Sequence, residues 1–234
     1  MGRHDGRQPD NAVHYHFNFG LIWRHCDMLG WGLVLSLELS VLAAVVGTVL
    51  GLAMAVAHVS GGRAVRTAIG GYVECIRNIP LLLLVYLVFY GVPSVVDLQY
   101  GAATSFIVTL SLYYAAYLVE VFRAGLDAIP KGLIDAGCAI GLTPWQRVLF
   151  VRLPTMFRIV LPSLGNAFIS LFKDTSIATV LAVPELTYGA NWIYTNTFRI
   201  VEVYTVVMPM YLVTGFVLLF ALRQLERQFA IRRR

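Results

Sequence analysis

Charged residues are scarce in this chain, and that scarcity excludes an ordinary soluble domain. Of its 234 residues, 13% are charged and 58% are hydrophobic, and the mean hydropathy is +0.72. A soluble globular domain carries roughly a quarter charged residues. The composition therefore predicts that a lipid bilayer surrounds most of the chain.

Three further kinds of signal are missing. The cysteines Cys26, Cys75 and Cys138 lie far apart without metal-ligand spacing, so neither a disulfide framework nor a metal site is predicted. The first 19 residues lack the short apolar stretch of a signal peptide. No GxxxxGK[ST] phosphate loop occurs, so we expect this chain not to hold ATP by that route. We also expect no cofactor and no enzymatic activity in this chain.

What the sequence does contain is a set of five apolar segments. Each is long enough, or nearly so, to cross a bilayer as a helix, which takes about 20 residues. We therefore predict an all-α integral membrane protein with five transmembrane helices. The segments cover residues 29–59, a run from near 72 through the apolar residues that follow Pro80, 101–119, 159–183 and 203–222.

The distribution of basic residues predicts the orientation. The loops after the first and third segments and the tail are rich in lysine and arginine, whereas the other two loops hold only Arg199. Basic loops stay in the cytoplasm, so we expect an extracytoplasmic segment at 1–27, a membrane domain at 28–223 and a cytoplasmic tail at 224–234. The net charge of +5 is scattered between apolar spans, which argues against nucleic-acid binding.

One stretch between the spans is much less apolar: KGLIDAGCAIGLTPWQRVLFVRLP, residues 131–154, within the predicted cytoplasmic segment 124–157. A proline precedes it, and Gly141 is placed to end a first helix. Thr143 and Gln146 have the spacing of a capping box that starts a second helix. We therefore predict a helix–turn–helix, called here the elbow.

The glycines of the elbow leave two interpretations open. Gly137 and Gly141 are about one helical turn apart, about 6 Å along a helix, and their bare backbone could receive another protein. Ile134, Cys138 and Leu142 supply an apolar side to such a surface. The same small residues could instead let the elbow pack on its own membrane helices.

The stretch IDAGCAIGLTPWQRVLFVRLP resembles the cytoplasmic signature of the permease subunits of bacterial ABC importers: E-A-A, three residues, G, nine residues, I-x-L-P. Asp135, Gly137 and Val151 depart from the usual Glu, Ala and Ile. Four further stretches resemble, in order, the polar amino-acid branch of that family, which is of the histidine, glutamine and glutamate type. They are YVECIRNIPLLLLVYLVFYGVP, AAYLVEVFRAGLDAIPKG, LPSLGNAFISLFKDTSIATVLAVPELT and LERQ. The coupling residues that the resemblance implies are Asp135, Ala136, Gly137, Ala139, Gly141, Leu142 and Pro154.

The resemblance implies a type I ABC importer permease that translocates a polar amino acid across a bacterial inner membrane. Its partners would be a second permease, as a copy or a paralogue, an external solute-binding protein, and an ATP-binding subunit that holds ATP and Mg²⁺ and docks on residues 131–154. A self-sufficient secondary transporter or channel is the alternative, and it leaves the elbow unexplained. A membrane-embedded enzyme is disfavoured because no catalytic cluster recurs on the spans.

Several ionisable residues interrupt the apolar segments. Such groups are costly in a bilayer unless they face a cavity or a partner. Glu38, Lys173 and Asp174 are therefore candidates for the substrate pathway, with the polar residue Ser170 as a fourth. The alternative for Lys173 and Asp174 is an inter-helix ion pair that fixes a dimer, for instance between Lys173 and Glu38 or Glu120. Glu38 could also lie at the membrane interface.

A second group of residues suggests gating or structural support. Anchoring by positive charge and a solvated interface are the alternatives for it. The tyrosines Tyr113, Tyr114 and Tyr117 are expected to form a helix-packing face rather than a ligand site. The gating and structural candidates are Arg77, Asn78, Pro80, Glu120 and Arg123.

Overall fold

A computed structural model describes residues 16–229, and every regular element within that range is helical. The all-α fold class is confirmed. The predicted segments 1–27 and 224–234 lie partly outside the described residues. The helices are α1 Gly20–Trp23, α2 Cys26–Ser60, α3 Arg63–Asn78, α4 Leu81–Tyr86, α5 Val92–Val96, α6 Ala102–Asp127, α7 Lys131–Ala139, α8 Pro144–Arg147, α9 Leu153–Asp174, α10 Leu186–Thr197 and α11 Ile200–Phe229.

Helices α2 and α6 pack closely in a parallel arrangement, because glycines on α2 leave room for the α6 backbone. A Cβ added at Gly47 would lie 2.9 Å from the Ser111 carbonyl oxygen, and one added at Gly51 would lie 3.0 Å from that of Ala115. Small residues permit this close approach in membrane helices. Since both helices advance in the same direction, the chain between them must return across the bundle.

Helix α9 runs antiparallel to α6 and to α11. Gly125 near the end of α6 faces Val160 near the start of α9, and Gly165 of α9 faces Leu222 near the end of α11. The elbow therefore lies at the end of the bundle where α2, α6 and α11 finish, which we call the elbow end. Helix α10 lies at the other end, where α2 and α11 begin, which we call the α10 end.

The second apolar segment consists of two helices with a break at Pro80. Helix α3 contains Tyr72 and ends at Asn78, and the next helical stretch begins at Leu81 at an angle of 106° to it. Pro80 lies at the break and accounts for it, because proline lacks a backbone N–H and disfavours helical conformation in the residue before it. Tyr72 Oη donates to the Leu112 carbonyl at 2.6 Å, which fixes α3 against α6.

Among the described residues, four helices are long and apolar enough to cross a bilayer, and the bent pair makes a fifth if it counts as one span. The predicted number of five is reached only on that count. The fourth span is longer than predicted, since Pro144–Leu181 is one continuous helical stretch of 38 residues. The second helix of the elbow is therefore the beginning of this span, not a separate short helix.

Two π-helical stretches, Leu87–Gly91 and Val148–Arg152, interrupt the α-helices. Each comes just before a proline, Pro93 or Pro154. A proline cannot donate to the carbonyl four residues earlier, and a wider turn accommodates that missing hydrogen bond. Helix α11 extends to Phe229, so the first part of the predicted tail continues the last span.

Candidate functional site

A cavity of about 300 Å³ opens between α6 and α9, and we call it the tyrosine cavity. Its volume is at the lower limit of the roughly 300–1,000 Å³ typical of small-molecule sites. One carboxylate, one hydroxyl and three phenols face it. The lining residues are Tyr113, Tyr114, Tyr117, Ala167, Ser170, Leu171 and Asp174.

The three tyrosines have different roles. Tyr113 and Tyr117 are one helical turn apart, with their hydroxyl oxygens at 3.1 Å and their ring centroids at 5.0 Å. Tyr114 is buried and packs against Gly47 of α2. The predicted packing face is thus found at Tyr114 and in part at Tyr113, which both contact the hydrophobic core, but all three tyrosines also line the cavity.

Ser170 and Asp174 reach the tyrosine cavity from α9, where they lie one turn apart on the same face. Lys173 points elsewhere, into an apolar groove between α9 and α11 with Tyr211 and Phe216. The two adjacent charges therefore face different sides of α9, as their spacing predicts.

A second, more polar cavity of about 450 Å³ lies between α3 and α6, and we call it the arginine cavity. Tyr117 lines both cavities, and the Arg77 guanidinium carbon lies 5.0 Å from the centroid of its ring. This distance is typical of a cation–π contact. The lining residues are Gly70, Val73, Glu74, Arg77, Asn78, Tyr117, Glu120 and Arg123.

Charges of opposite sign meet at the tyrosines. The Tyr113 hydroxyl lies within electrostatic reach of both the Asp174 carboxylate and the Arg77 guanidinium. The two cavities with their shared Tyr117 thus form one polar surface, called here the polar track. It runs from Asp174 on α9 to Arg123 near the end of α6.

The gating candidates meet in the arginine cavity, with one exception. Arg123 Nη2 and Glu120 Oε2 are 3.3 Å apart, and both side chains are about a third exposed. Such a pair contributes only about 0–1 kcal/mol, so a bound charge could displace it. Asn78 Nδ2 donates to the Glu74 carbonyl at 2.7 Å and caps α3, whereas Pro80 lies at the bend, outside both cavities.

Two predicted pathway residues are not brought into the track. Glu38 is exposed on α2 and lines neither cavity, and Lys173 faces the groove beside α11. Within residues 16–229, Lys173 forms no ion pair with Glu38 or Glu120. Within one chain, the ion pair suggested as the alternative is therefore not formed, and a pair across a dimer stays a prediction.

The elbow is held by contacts between near neighbours in sequence. Gly141 has φ +82°, a conformation that favours glycine, and Leu142 N donates to the Gly137 carbonyl at 3.0 Å as in a Schellman motif. The predicted capping box is confirmed: Gln146 N donates to Thr143 Oγ1 at 3.3 Å, and Thr143 N donates to Gln146 Oε1 at 2.9 Å.

Gly137 does not present bare backbone to the outside, contrary to the docking interpretation of the sequence. It is buried, and a Cβ added there would lie 3.4 Å from Arg147 Cγ and 3.5 Å from Val151 Cγ2. Leu142 is half-buried. Gly137 and Leu142 therefore lie in the interior of the elbow, whereas Ala136 and Ala139, two other small residues of the motif, are exposed.

The outer surface of the elbow is apolar, and the sequence did not single out the side chains that make it so. Ile140 is 76% exposed and Trp145 is 65% exposed, on either side of the turn. Gly137 and Leu142 occupy the inner face of the elbow, so the turn between its two helices already indicates that Ile140 and Trp145 face outward. The large exposed apolar side chains of the elbow are Leu133, Ile140, Trp145, Leu149 and Phe150.

Comparison with protein families decides what these features belong to. Residues 47–231 match the family described as the inner membrane component of binding-protein-dependent transport systems. The chain belongs to this family. It is therefore a membrane permease subunit, a non-catalytic component of ABC transport systems.

Curated relatives of this permease cover almost its whole length. The glutamine transport system permease protein GlnP of Escherichia coli (strain K12) is 35% identical over 216 residues, which is 92% of this chain and 99% of GlnP. The L-cystine transport system permease protein TcyB of Bacillus subtilis (strain 168) is 34% identical over 86% of each chain.

Solved structures agree with the fold of the permease. A crystal structure of an amino acid ABC transporter with histidines matches with a TM-score of 0.84 at 28% identity, covering 92% of this chain and all of that one. The MetNI methionine ABC transporter in an inward-facing conformation matches with a TM-score of 0.76 at 21% identity, over 92% of this chain and all of that one, which supports the fold alone. The type I importer permease fold is thus confirmed.

Proposed function

We propose that this permease translocates a polar amino acid across the bacterial inner membrane as part of an ATP-driven importer. The polar track is the observation that carries the proposal. It places an acidic and a basic side chain around one pair of tyrosines, on helices that are otherwise apolar. The relatives of this chain include permeases named for glutamine, cystine and arginine.

A zwitterion matches the charges of the track. The α-ammonium group would bind the Asp174 carboxylate, with Ser170 beside it, and the α-carboxylate would bind the Arg77 guanidinium across the tyrosine pair. Hydrogen bonds to charged groups contribute about 1.5–3 kcal/mol each, so both ends of the ligand matter for binding. The hydroxyls of Tyr113 and Tyr117 remain available for a polar side chain.

We place the elbow end in the cytoplasm and the α10 end outside, because basic residues stay on the cytoplasmic side. At the α10 end, the basic residues outside the spans are only Arg24 and Arg199 among the described residues. The basic residues at the elbow end are Arg63, Arg66, Arg123, Lys131, Arg147, Arg152, Arg158, Arg223 and Arg227.

The elbow is then the docking surface for a separate ATP-binding subunit, which holds ATP and Mg²⁺. An exposed apolar patch at the aqueous end of a membrane protein marks a protein interface. Ile140 and Trp145 would anchor that interface, with Asp135, Ala136 and Ala139 exposed beside them. Gly141 shapes the turn that presents Ile140.

The remaining partners follow from the same arrangement. An external solute-binding protein would deliver the amino acid at the α10 end. A second permease, identical or paralogous, would cover the exposed apolar faces of α2 and α11 that do not face lipid. Arg77, Glu120 and Arg123 lie on the elbow side of the tyrosine cavity, where they would form the inner gate.

Uptake by the complete transporter in proteoliposomes tests the function. We expect ATP-dependent accumulation of at least one labelled polar amino acid, with L-glutamine, L-arginine and L-cystine as first probes. Asp174→Asn should lower kcat/KM about 10- to 100-fold through the lost charge-assisted bond. Glu38→Gln, the same neutralisation outside the track, and Lys173→Met should leave uptake within about twofold.

Two results would contradict the proposal. Uptake that proceeds without ATP would indicate the self-sufficient transporter instead. Equal losses in Asp174→Asn and Glu38→Gln would show that the polar track has no special part in transport.

A further inference from the structure

Glu185 is a fully buried carboxylate that the polar track does not use. It is 0% exposed and caps the N-terminus of α10, where its two oxygens accept hydrogen bonds from the backbone N–H groups of Thr187 and Tyr188, both at 2.8 Å. An N-cap carboxylate satisfies amide groups that the helix leaves free. This part of its role is local to α10.

The same carboxylate also joins α10 to two other helices. Tyr211 Oη of α11 donates to Glu185 Oε2 at 3.2 Å, and Ser36 Oγ of α2 lies 3.4 Å from the same oxygen. Tyr211 Oη also lies 2.8 Å from Thr187 Oγ1. We call Ser36, Glu185, Thr187 and Tyr211 the latch, since they connect three helices at the α10 end.

The backbone at the latch is packed as tightly as its side chains. A Cβ added at Gly32 of α2 would lie 2.9 Å from both the Glu185 carbonyl carbon and the Leu186 nitrogen. Leu186 N also donates to Ser36 Oγ at 3.3 Å. Helix α10 therefore cannot move away from α2 without breaking the latch.

No cation compensates the Glu185 charge within residues 16–229. Helix α2 contributes a hydroxyl and glycine backbone, α10 contributes amide groups, and α11 contributes the Tyr211 phenol as the facing titratable group. Lys173 of α9 lines a groove with Tyr211 but forms neither a hydrogen bond nor an ion pair with Glu185. Among the described residues, only hydrogen bonds therefore stabilise the charge of Glu185.

The latch is connected to the tyrosine cavity through Tyr211. Its ring packs against Phe172, with centroids 5.6 Å apart. The Phe172 carbonyl accepts a hydrogen bond from Thr175 Oγ1 at 2.6 Å, at the point where α9 becomes a 3₁₀-helix. Asp174 lies between these two residues in the chain, so the ring contact at Phe172 is two residues from the carboxylate that lines the tyrosine cavity.

We propose that Glu185 is a positioning residue whose latch holds α10 against α2 and α11 and, through Tyr211 and Phe172, sets the position of Asp174. Opening of α10 would then be coupled to the tyrosine cavity. The part of this inference that concerns Asp174 rests on the proposed function, whereas the latch itself does not.

The latch responds to pH with a defined sign. Burial raises the pKa of Glu185 from about 4.5 to about 7, because desolvation outweighs its four hydrogen bonds. The closed latch therefore retains a proton that an exposed Glu185 releases at neutral pH. Low pH favours the closed state, and the equilibrium constant for opening rises about tenfold between pH 6 and pH 8.

Distance measurements on the assembled transporter test the latch without a substrate. The exposed cysteines Cys26, Cys75 and Cys138 are replaced by serine, and spin labels are attached at Trp31→Cys on α2 and Asn196→Cys on α10, both exposed. We expect the ratio of long to short distances to rise about tenfold from pH 6 to pH 8.

Variants separate the latch from other buried carboxylates. Glu185→Gln mimics the protonated form and should hold the short distance at both pH values. Glu202→Gln is the matched control: Glu202 is also fully buried at this end, but it bonds Asn18 N and Arg199. It should keep the tenfold response.

A persistent pH response in Glu185→Gln, or none in the unmodified chain, would overturn the latch. If Glu185→Gln does not assemble, Tyr211→Phe replaces it: loss of one donor should move the response to higher pH, and an unchanged midpoint counts against the proposal. Tyr211→Leu, which removes the ring contact, should raise KM for uptake several-fold. A normal distance response with no amino-acid uptake in the unmodified chain would reject the proposed function and keep the latch.

Discussion

The elbow and helix α10 are short helical elements at opposite ends of one bundle, and they are built in opposite ways. The elbow is held by bonds between residues at most nine apart and exposes Ile140 and Trp145. Helix α10 buries one face, and it is held by Ser36, about 150 positions away in sequence, and by Tyr211 of α11. The shape of the elbow is therefore set by local contacts, which leave its outer face available to another protein, whereas the position of α10 is set by distant parts of the bundle.

The largest expected effect is at the outer surface of the elbow. Ile140→Asp should weaken association with the ATP-binding subunit by about 30-fold or more, since a central interface residue contributes about 2 kcal/mol or more. Thermal stability of the permease should stay unchanged, because the side chain is 76% exposed. Co-purification and a thermal melt measure the two quantities.

Two variants serve as controls for the elbow. Leu98→Asp places the same charge at an exposed leucine far from the elbow and should leave association unchanged. Gly137→Ala changes only the interior of the elbow, where a Cβ has ordinary contacts, and should also be silent. Association lost in Gly137→Ala but kept in Ile140→Asp would reverse the assignment of the docking face.

A smaller effect is expected where α10 meets α2. Gly32→Ala should destabilise the permease by about 1–3 kcal/mol, because the new Cβ would lie 2.9 Å from the backbone of Glu185. Gly30→Ala is the matched control, since nothing lies within 4 Å of its Cβ, and it should gain up to about 1 kcal/mol of helix propensity. Equal melting temperatures for the two variants would contradict the tight packing of α10.

The same contrast explains what the sequence could predict. The capping box of Thr143 and Gln146 and the glycine turn at Gly141 are encoded by neighbouring residues, so they were predicted correctly. The apolar spans follow from composition, although the bend at Pro80 depends on how α3 packs against α6.

The parts that could not be predicted depend on distant contacts. Tyr113 and Tyr117 line a cavity only because Ser170 and Asp174 of α9 lie opposite them. In the sequence, Glu185 is an ordinary acidic residue before a helix. Its contacts with Ser36 and Tyr211 are evident only in the structure. Periodicity also could not show that Glu38 faces away from the polar track.

Protection of a thiol in the tyrosine cavity tests the central claim most directly. Ser170→Cys, in the chain whose three native cysteines are serine, places a reactive group beside Asp174. We predict that the transported amino acid slows its modification by a small charged thiol reagent, while Leu98→Cys, exposed in the loop before α6 and outside the polar track, reacts at the same rate with and without it. Unchanged labelling of Ser170→Cys at saturating amino acid would contradict the claim that the ligand passes through the polar track.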